Sequence, residues 1–505
     1  MDREARQTPR FTAFSDTRAR LRTALLPGLV CLFLAALYGT TLAPGLTWAF
    51  DGADGGDLVT AAATGGVPHP SGYPTYMLIA STFLRLPFGS LAYRTNLLSA
   101  VCTVAAALVV YLTVRSFDRS DLSASIASLA LGTFPLVWSQ AIITEVYALH
   151  GLFAALLLRF SLVSSRNWWT DLLRGVVAGV ALGNHLSIVL ALPLLFVRSP
   201  QKPTPEGETG LAPVGSAAFP GSLFHQLLGL FLGLSVYGVI PLRAQAQPPV
   251  NWGHAANWPG LVWLASGRMY WGRLLDFGAG YLLTGLRAWS HLVLQQLGIL
   301  GIVAVFVLLA LLFKRSPLYL LTAWLLIVYS AFSILFYSPD SYVYLIPALV
   351  ALSVWIGMGW RWITERLPPR FAHGRSIVVG CIGALFVGRA LLAIPAMNLS
   401  ADRTAEQYAQ SILNTAPKRA IIFTTGDEAT FSLWFAQYAN GQRPDVAVVA
   451  SDLLVQPWYH EVLGHTYPDL TVAEMAGVQD ILRDNSERPH CHAGKELQAT
   501  STCAP

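Results

Sequence analysis

The chain has 505 residues, 54% of them hydrophobic and 12% charged, with a mean hydropathy of +0.50. That is about half the charge of an ordinary soluble domain, which excludes a simple water-soluble globule. The net charge of +5 follows from where arginines flank apolar runs and gives no reason to invoke nucleic acid as a partner. Apolar runs of spanning length recur, so the sequence predicts a mainly α-helical polytopic membrane protein in contact with membrane lipid.

Residues 1–23 form a basic arm carrying Arg3, Arg6, Arg10, Arg18, Arg20 and Arg22, cytoplasmic by the positive-inside rule. The span that follows, 24–43, reads as a signal anchor and places a first outer loop at 45–90. Within that loop, 51–74 collects Asp51, Asp54, Asp57 and His69 among glycines and prolines. Glycine lets a backbone approach a ligand closely, and proline fixes bends. Residues 73–88 read as a helix lying at the outer interface. Spans at 96–114, 124–138 and 146–163 follow, with Glu145, Tyr147 and His150 at an outer end. The segment 172–197 is interrupted at Gly183-Asn184-His185. Lys314–Arg315 and the cluster Arg361, Arg366, Arg370 and Arg375 must both be inside, which works only if this segment crosses twice, as two short helices turning at Asn184–His185 near the outer face. Further spans at 223–242, 291–313, 318–337, 342–360 and 377–397 bring the total to about eleven crossings. A Pro/Gly-rich cytoplasmic loop occupies 201–221. A long outer segment, 243–287, holds Arg243, Arg268, Arg273, Arg287, Asn251 and Trp252, and an outer hairpin holds Asp340 and Tyr342.

From 398 to 505 the composition turns polar. Residues 420–425 and 445–449 read as strands flanking a helix at 428–440, a small α/β domain on the outer face. Asp427 follows the first strand, where such folds place ligands. Cys491 and Cys503 can pair if this tail faces an oxidising compartment. The domain organisation is therefore a basic arm (1–23), a transmembrane domain (24–397) and an outer α/β domain (398–505).

This topology gathers Asp54, Asp57, His69, Glu145, His185, Arg243, Asn251 and Asp340 on one side of the membrane. Ionisable groups at or within a bilayer are costly and are usually kept for function. A buried aspartate beside a hydroxyl suits general-base work. The pair Asp54 and Asp57 could instead hold a metal with His69 or Glu145, although no tight ligand spacing supports it. His69 between prolines reads as a structural hydrogen-bonder, Glu145 as a helix cap or a site group, and His185 as a cap of the helix break. The outer arginines Arg243, Arg268, Arg273 and Arg287 read either as interface anchors or, for at least one of them and Arg243 first, as the ligand of a lipid-linked phosphate. Arg389, inside the last span, has the same two readings.

Asp54-Gly55-Gly56-Asp57-Leu58, followed by His69-Pro70-Ser71-Gly72-Tyr73-Pro74, resembles the Gly-Asp-Ser-Gly-Glu and His-Pro-Pro-Gly-Tyr-Pro signature of the protein O-mannosyltransferase-like membrane family. Glu145-Val146-Tyr147, Leu182-Gly183-Asn184-His185, Pro248-Pro249-Val250-Asn251-Trp252-Gly253 and Pro339-Asp340-Ser341-Tyr342 match in the same order, and Gly426-Asp427 and Arg443-Pro444-Asp445-Val446 extend the likeness into the tail. The resemblance covers roughly residues 25–455. It implies a GT-C glycosyltransferase that takes a sugar, mannose above all, from a polyprenyl-phosphate carrier to a protein or glycan acceptor without a cofactor. It assigns catalysis to Asp54 and Asp57, with Asp54 the base. Substrate binding falls to His69, Tyr73, Glu145, Tyr147, Asn184, His185, Arg243, Asn251, Trp252, Asp340, Tyr342 and Asp427. The second family carboxylate, a glutamate, is the shorter Asp57 here. The arginine-rich, lysine-poor composition suggests a bacterial plasma membrane. A transporter or lipid flippase is the alternative reading, and a scaffold the third. The absence of an inverted repeat and the gathering of polar groups at one face count against transport.

Overall fold

The computed structural model describes residues 12–504 apart from 163–166, 197–219, 275–278, 310–316, 337, 367, 369–371 and 495–501. Residues 1–11 of the basic N-terminal arm, most of the loop 201–221, Lys314, Arg315 and Arg370 therefore lie outside the described residues, and the readings made on them stay expectations.

The membrane part is helical. Helix α1 (Thr12–Thr41) leads into α2 (Gly55–Thr64) and α3 (Pro74–Phe83). Then come α4 (Leu91–Asp118), α5 (Asp121–Thr133), α6 (Pro135–Ala141), α7 (Tyr147–Leu162) and α8 (Trp168–Leu182). A 3-10 segment, Leu186–Phe196, follows the break at Gly183-Asn184-His185. Helices α9 (Pro220–Leu234), α10 (Val239–Gln245), α11 (Trp258–Ala265), α12 (Ala279–Leu309), α13 (Pro317–Leu335), α14 (Ile346–Glu365) and α15 (Ala372–Met397) complete it.

Among the described residues, five helical stretches are long and apolar enough to cross a membrane: Leu91–Phe117, Gly221–Gln245, Pro317–Leu335, Ser341–Glu365 and Gly380–Met397. The pair α5 and α6, bent by 66° at Phe134, makes a sixth; Leu25–Thr41, Tyr147–Leu162 and Leu186–Phe196 are shorter apolar helices. The remaining crossings drawn from the sequence fall on α8 and on α12, whose end runs into residues outside the description. This is a multi-pass integral membrane protein.

Two packing devices explain polar or small residues inside spans. Gly175 and Gly179 of α8 face Gly229 and Gly233 of α9, and a Cβ at any of the four would strike the other helix's backbone. Small residues allow such close helix contact where lipid supplies no hydrophobic drive. In α12 the backbone departs from helix at Gly298 (φ 55°, ψ −175°). Arg389 donates to the carbonyls of Gln296 (2.8 Å) and Gln295 (2.6 Å) beside that break. It thereby satisfies groups that the bilayer could not. Arg174 of α8 is buried and ion-paired to Asp171 at 3.3 Å.

The stretch 51–74 is less of a loop than its glycines and prolines suggest, because α2 runs through it. The tail forms α16 (Thr404–Thr415), β1 (Ile421–Thr425), α17 (Asp427–Trp434), β2 (Ala447–Ala450), α18 (Pro457–Thr466), α19 (Val478–Asp484), β3 (His490–Gly494) and β4 (Thr502–Ala504). The sheet order is β2-β1-β3-β4, with β1 parallel to β2 and β3, and β4 antiparallel to β3. Only the first βαβ unit was visible in the sequence; β3 and β4 are short and polar. Cys491 and Cys503, opposite each other in these two strands, are joined in a disulfide.

Candidate active site

The site is built on the entry to α2. Asp54, the residue before α2, and Asp57, in its first turn, lie close together but meet different surroundings. The Asp57 side chain is fully buried and accepts hydrogen bonds from the His69 backbone N–H (2.9 Å), His69 Nδ1 (2.7 Å) and Trp252 Nε1 (3.1 Å). The Asp54 side chain is 34% exposed, and its ion-pair partner is His69 Nε2 at 3.5 Å. His69 thus bridges the two aspartates, and its Nε2 also lies 3.0 Å from the Tyr73 hydroxyl.

Electrostatics ties further acids to this pair. Burial raises the pKa of Asp54; His69 opposes the rise, while Asp340 and Asp57 reinforce it. Burial alone would depress His69, but the Asp54 charge and the Asp57 hydrogen bond lift it to about 9, so the ring is an imidazolium at neutral pH. Glu145, buried between α6 and α7, is pushed well above the carboxylate range by burial and then by Asp54. Its place is set by Thr144, which donates to Asn96 Oδ1 (2.6 Å), while Asn96 Nδ2 binds the carbonyls of Ala43 and Gly45. Burial and Asp54 raise Asp427, at the start of α17, to about 7.

The tail is therefore a wall of the site rather than a detached unit. Phe431 of α17 packs so tightly on α2 that a Cβ on Gly56 would come 2.6 Å from its carbonyl oxygen. The glycine that looked suited to ligand approach serves helix approach instead. Trp48 Nε1 donates to Ser432 Oγ at 2.9 Å, and Trp252 contacts the rings of Phe431, Trp434 and Trp458. Strained backbone frames the same corner: Phe50 (φ 57°), Asp51 (φ 58°) and Tyr73 (φ 41°) are all left-handed, a cost that persists only where surrounding structure enforces it.

The remaining residues singled out in the sequence divide into two groups. His185 stands among Tyr73, Tyr147 and Tyr344, with ring centroids 6.3, 5.6 and 5.4 Å away. Arg243, Asn251 and Asn184 instead brace backbone. Arg243 donates to the Gly66 carbonyl (3.2 Å) and Ser81 Oγ (3.1 Å). Asn251 donates to the Ala244 carbonyl (3.1 Å) and forms a β-bridge with Val67, and Asn184 donates to the Val146 carbonyl (3.2 Å). Tyr342 donates to Asp51 at 2.5 Å, and Ser338 donates to Asp340.

Asp51, Tyr270, Tyr344 and Arg273 join the cluster without having been singled out as site residues. Arg273, exposed, lies over the Tyr270 ring (5.1 Å), reaches Ser338 Oγ at 3.4 Å and acts electrostatically on Asp54. In the sequence it is one of four outer arginines that share the anchor and phosphate readings, with nothing to set it apart. Among the described residues no group of three His, Cys, Asp or Glu side chains is arranged to hold a metal ion.

Residues 54–202 match the family model described as the protein O-mannosyl-transferase TMEM260 N-terminal domain, and residues 405–469 match TMEM260-associated domain 2. The mouse protein O-mannosyl-transferase TMEM260 is 26% identical over 470 residues, 87% of this chain and 64% of that protein. A Dictyostelium discoideum protein of the same name is 27% identical over 143 residues, 27% of this chain and 17% of its own length. The chain thus spans under two thirds of the curated relatives it matches. Among solved structures, ArnT from Cupriavidus metallidurans in the apo state superposes with a TM-score of 0.59 at 13% identity, covering 92% of this chain and 93% of that one. The same protein bound to undecaprenyl phosphate gives 0.55 at 12% identity, covering 85% and 91%. These matches bear out the family resemblance drawn from the motifs, and the fold is of the GT-C type.

Proposed function

We propose that this chain, as a member of the protein O-mannosyltransferase-like family, is an inverting GT-C glycosyltransferase. It moves a sugar, mannose, from a polyprenyl-phosphate carrier to an acceptor hydroxyl on the outer face of the membrane. The observation that carries the reading is the contrast between the two aspartates. Asp57 is consumed by protein donors, whereas among the described residues Asp54 makes one side-chain ion pair, to His69, and keeps exposed surface.

In this mechanism Asp54 takes the proton of the acceptor hydroxyl while that oxygen attacks the anomeric carbon. The bond from that carbon to the phosphate oxygen breaks on the opposite face, and polyprenyl phosphate leaves with the electron pair. The raised pKa of Asp54 makes it a stronger base than a free carboxylate. His69, charged and held by Asp57, fixes the Asp54 carboxylate and balances its charge. Arg273 is assigned to the carrier phosphate, because a guanidinium suits that oxyanion and Arg243 already has two protein acceptors. The neighbour solved with undecaprenyl phosphate supports a lipid-phosphate donor. The relative named a protein O-mannosyl-transferase supports a protein hydroxyl as acceptor, with a glycan the alternative.

In topology, 1–23 is cytoplasmic, 24–397 is the membrane domain with its outer loop at 45–90, and 398–505 lies outside a bacterial plasma membrane. The disulfide in the tail supports that side, since such bonds persist in oxidising compartments. The test incubates purified protein, with no membrane gradient, with a panel of polyprenyl-phosphate sugars and an acceptor peptide. Mass spectrometry should find free polyprenyl phosphate and a glycosylated peptide, with the mannose donor consumed. Intact donors throughout would refute the transferase and favour a flippase.

A further inference from the structure

Behind the aspartate cluster lies a second polar arrangement that the transfer step does not use. His150 Nε2 lies 3.2 Å from Ser187 Oγ, and Ser187 Oγ lies 2.9 Å from His185 Nδ1. The Ser187 backbone N–H also donates to His185 Nδ1, at 3.2 Å. All three side chains are buried, His150 fully so. The Ser187 carbonyl is pinned in turn by the Tyr329 hydroxyl at 2.9 Å.

A backbone N–H can only donate, so His185 Nδ1 must be an acceptor. A neutral imidazole that accepts at one nitrogen carries its proton on the other. The ring is therefore the Nε2–H tautomer, and the chain runs in one direction: His150 Nε2–H to Ser187 Oγ, and Ser187 O–H to His185 Nδ1. His185 Nε2 makes no hydrogen bond among the described residues, and the residue as a whole is 8% exposed. Its ring is surrounded by Tyr73, Tyr147 and Tyr344, and Tyr73 is also the residue whose hydroxyl meets His69 beside Asp54. Aromatic faces suit the C–H face of a pyranose, and an N–H donor on a ring packed beside them suits one of its hydroxyls.

We propose that this aromatic enclosure is the sugar subsite and that the His185 Nε2–H reads one hydroxyl of the donor sugar. Ser187 and His150 are positioning residues that hold the tautomer. The inference rests on the glycosyltransferase reading and adds the place and the means of sugar recognition.

Two measurements separate the inference from that reading. The first needs no turnover: nitrogen NMR of histidine-labelled protein in lipid nanodiscs, with His185→Phe to assign the signal. The expected result near neutral pH is a neutral ring protonated at Nε2; protonation at Nδ1, or at both nitrogens, overturns the relay. The second compares kcat/KM for the intact donor and a series of deoxy-sugar donors in wild type, His185→Phe, His185→Gln, Ser187→Ala and Ser187→Thr. In wild type one deoxy donor should lose about five- to tenfold, the worth of one neutral hydrogen bond. His185→Phe should lose a similar factor on the intact donor and become indifferent to that hydroxyl, since the two deletions remove one interaction. His185→Gln, which keeps a donor, should retain part of the discrimination. Ser187→Ala should weaken it and Ser187→Thr restore it. If His185→Phe discriminates among all the deoxy donors as wild type does, His185 does not touch the sugar. If wild type releases polyprenyl phosphate from no donor, the transferase reading falls and the sugar contact with it, while the NMR result still judges the relay.

Discussion

Replacing Asp54 and Asp57 singly by asparagine should give opposite phenotypes, although the two residues are three apart in one motif. In Asp57→Asn, one end of the side chain becomes an NH2 group facing donors. Turned to keep its oxygen on the two His69 N–H groups, the amide meets Trp252 Nε1–H at 3.1 Å with another donor; turned the other way, it loses both His69 contacts. The charged His69 also loses its buried counter-ion. Breaking a buried pair of this kind costs about 3–5 kcal/mol. Each hydrogen bond to a charged group is worth about 1.5–3 kcal/mol, so we expect a loss of about 3 kcal/mol once the better rotamer is taken. Among the described residues Asp54 has one ion pair, longer at 3.5 Å, and a side chain 34% exposed. Asp54→Asn should therefore change stability by less than about 1 kcal/mol while lowering turnover by about a hundredfold or more. The assay is thermal unfolding of detergent-purified protein by fluorescence-detected gel filtration, paired with polyprenyl-phosphate release. A stable Asp57→Asn, or an Asp54→Asn with near-normal turnover, would refute the division of labour; in the latter case Glu145 becomes the candidate base.

Turnover should follow a bell in pH. It rises as Asp54 ionises, above the ordinary carboxylate value, and falls as pH passes about 9, where His69 loses its proton. Because His69 is raised from 6.5 to about 9 on folding, its contribution to stability is complete below 6.5 and is lost as pH rises through 9. Thermal midpoints across that window check the sign, and a midpoint that rises with pH there would contradict it. Arg273→Ala should raise the donor KM by about ten- to a hundredfold, with Arg273→Lys recovering only part. Arg243→Ala should instead lower stability with the donor KM unchanged; steady-state kinetics with both variants decides between the two arginines. Gly56→Ala should cost about 1–3 kcal/mol by overpacking, since its Cβ would meet the Phe431 carbonyl, whereas Gly28→Ala, with open space around it, should be silent. Single cysteines at Ser216 and Ser451 should label from opposite sides of intact cells, and labelling from one side would sink the eleven-crossing topology.

What the sequence disclosed followed from contrast. Asp54, His69, Glu145 and Asp340 stood out because acids and histidines at the ends of apolar spans are expensive, and the structure brings them within electrostatic reach of one another. Where composition was uniform the signal failed. Arg273 sits in a segment of tryptophans, tyrosines and other arginines, and only the fold shows that it is the one acting on Asp54. Arg243 stood first among these arginines because it sits at a span end, and the fold adds what position could not show, that its acceptors are Gly66 and Ser81. Arg389 could not be decided without Gly298, because the break that frees the carbonyls of Gln295 and Gln296 lies far away in sequence. His150 and Ser187 carried no motif at all, and their relation to His185 exists only in three dimensions.

The boundary drawn at residue 398 is where sequence and structure differ most in meaning. Composition turns polar there, and that invites the picture of a separate domain tethered outside. The contacts argue otherwise. Glu406 accepts from the Leu46 backbone N–H, Ser432 from Trp48, and the backbone of Phe431 fills the space a side chain on Gly56 would need. Each of these partners lies within ten residues of Asp54, so the tail fixes the backbone that aims the candidate base. It also brings its own acid: β1 ends where α17 begins, and burial beside Asp54 lifts Asp427 to about 7. A group with that pKa is neither firmly charged nor firmly neutral at physiological pH, so the outer rim of the site can take or give up a proton when an acceptor docks. An acceptor hydroxyl arriving from outside would pass this rim before reaching Asp54. Substitutions in α17 should therefore alter acceptor KM more than donor KM. Steady-state kinetics of Asp427→Asn against each substrate tests this directly, and equal changes in both constants would place Asp427 in the shared catalytic machinery instead.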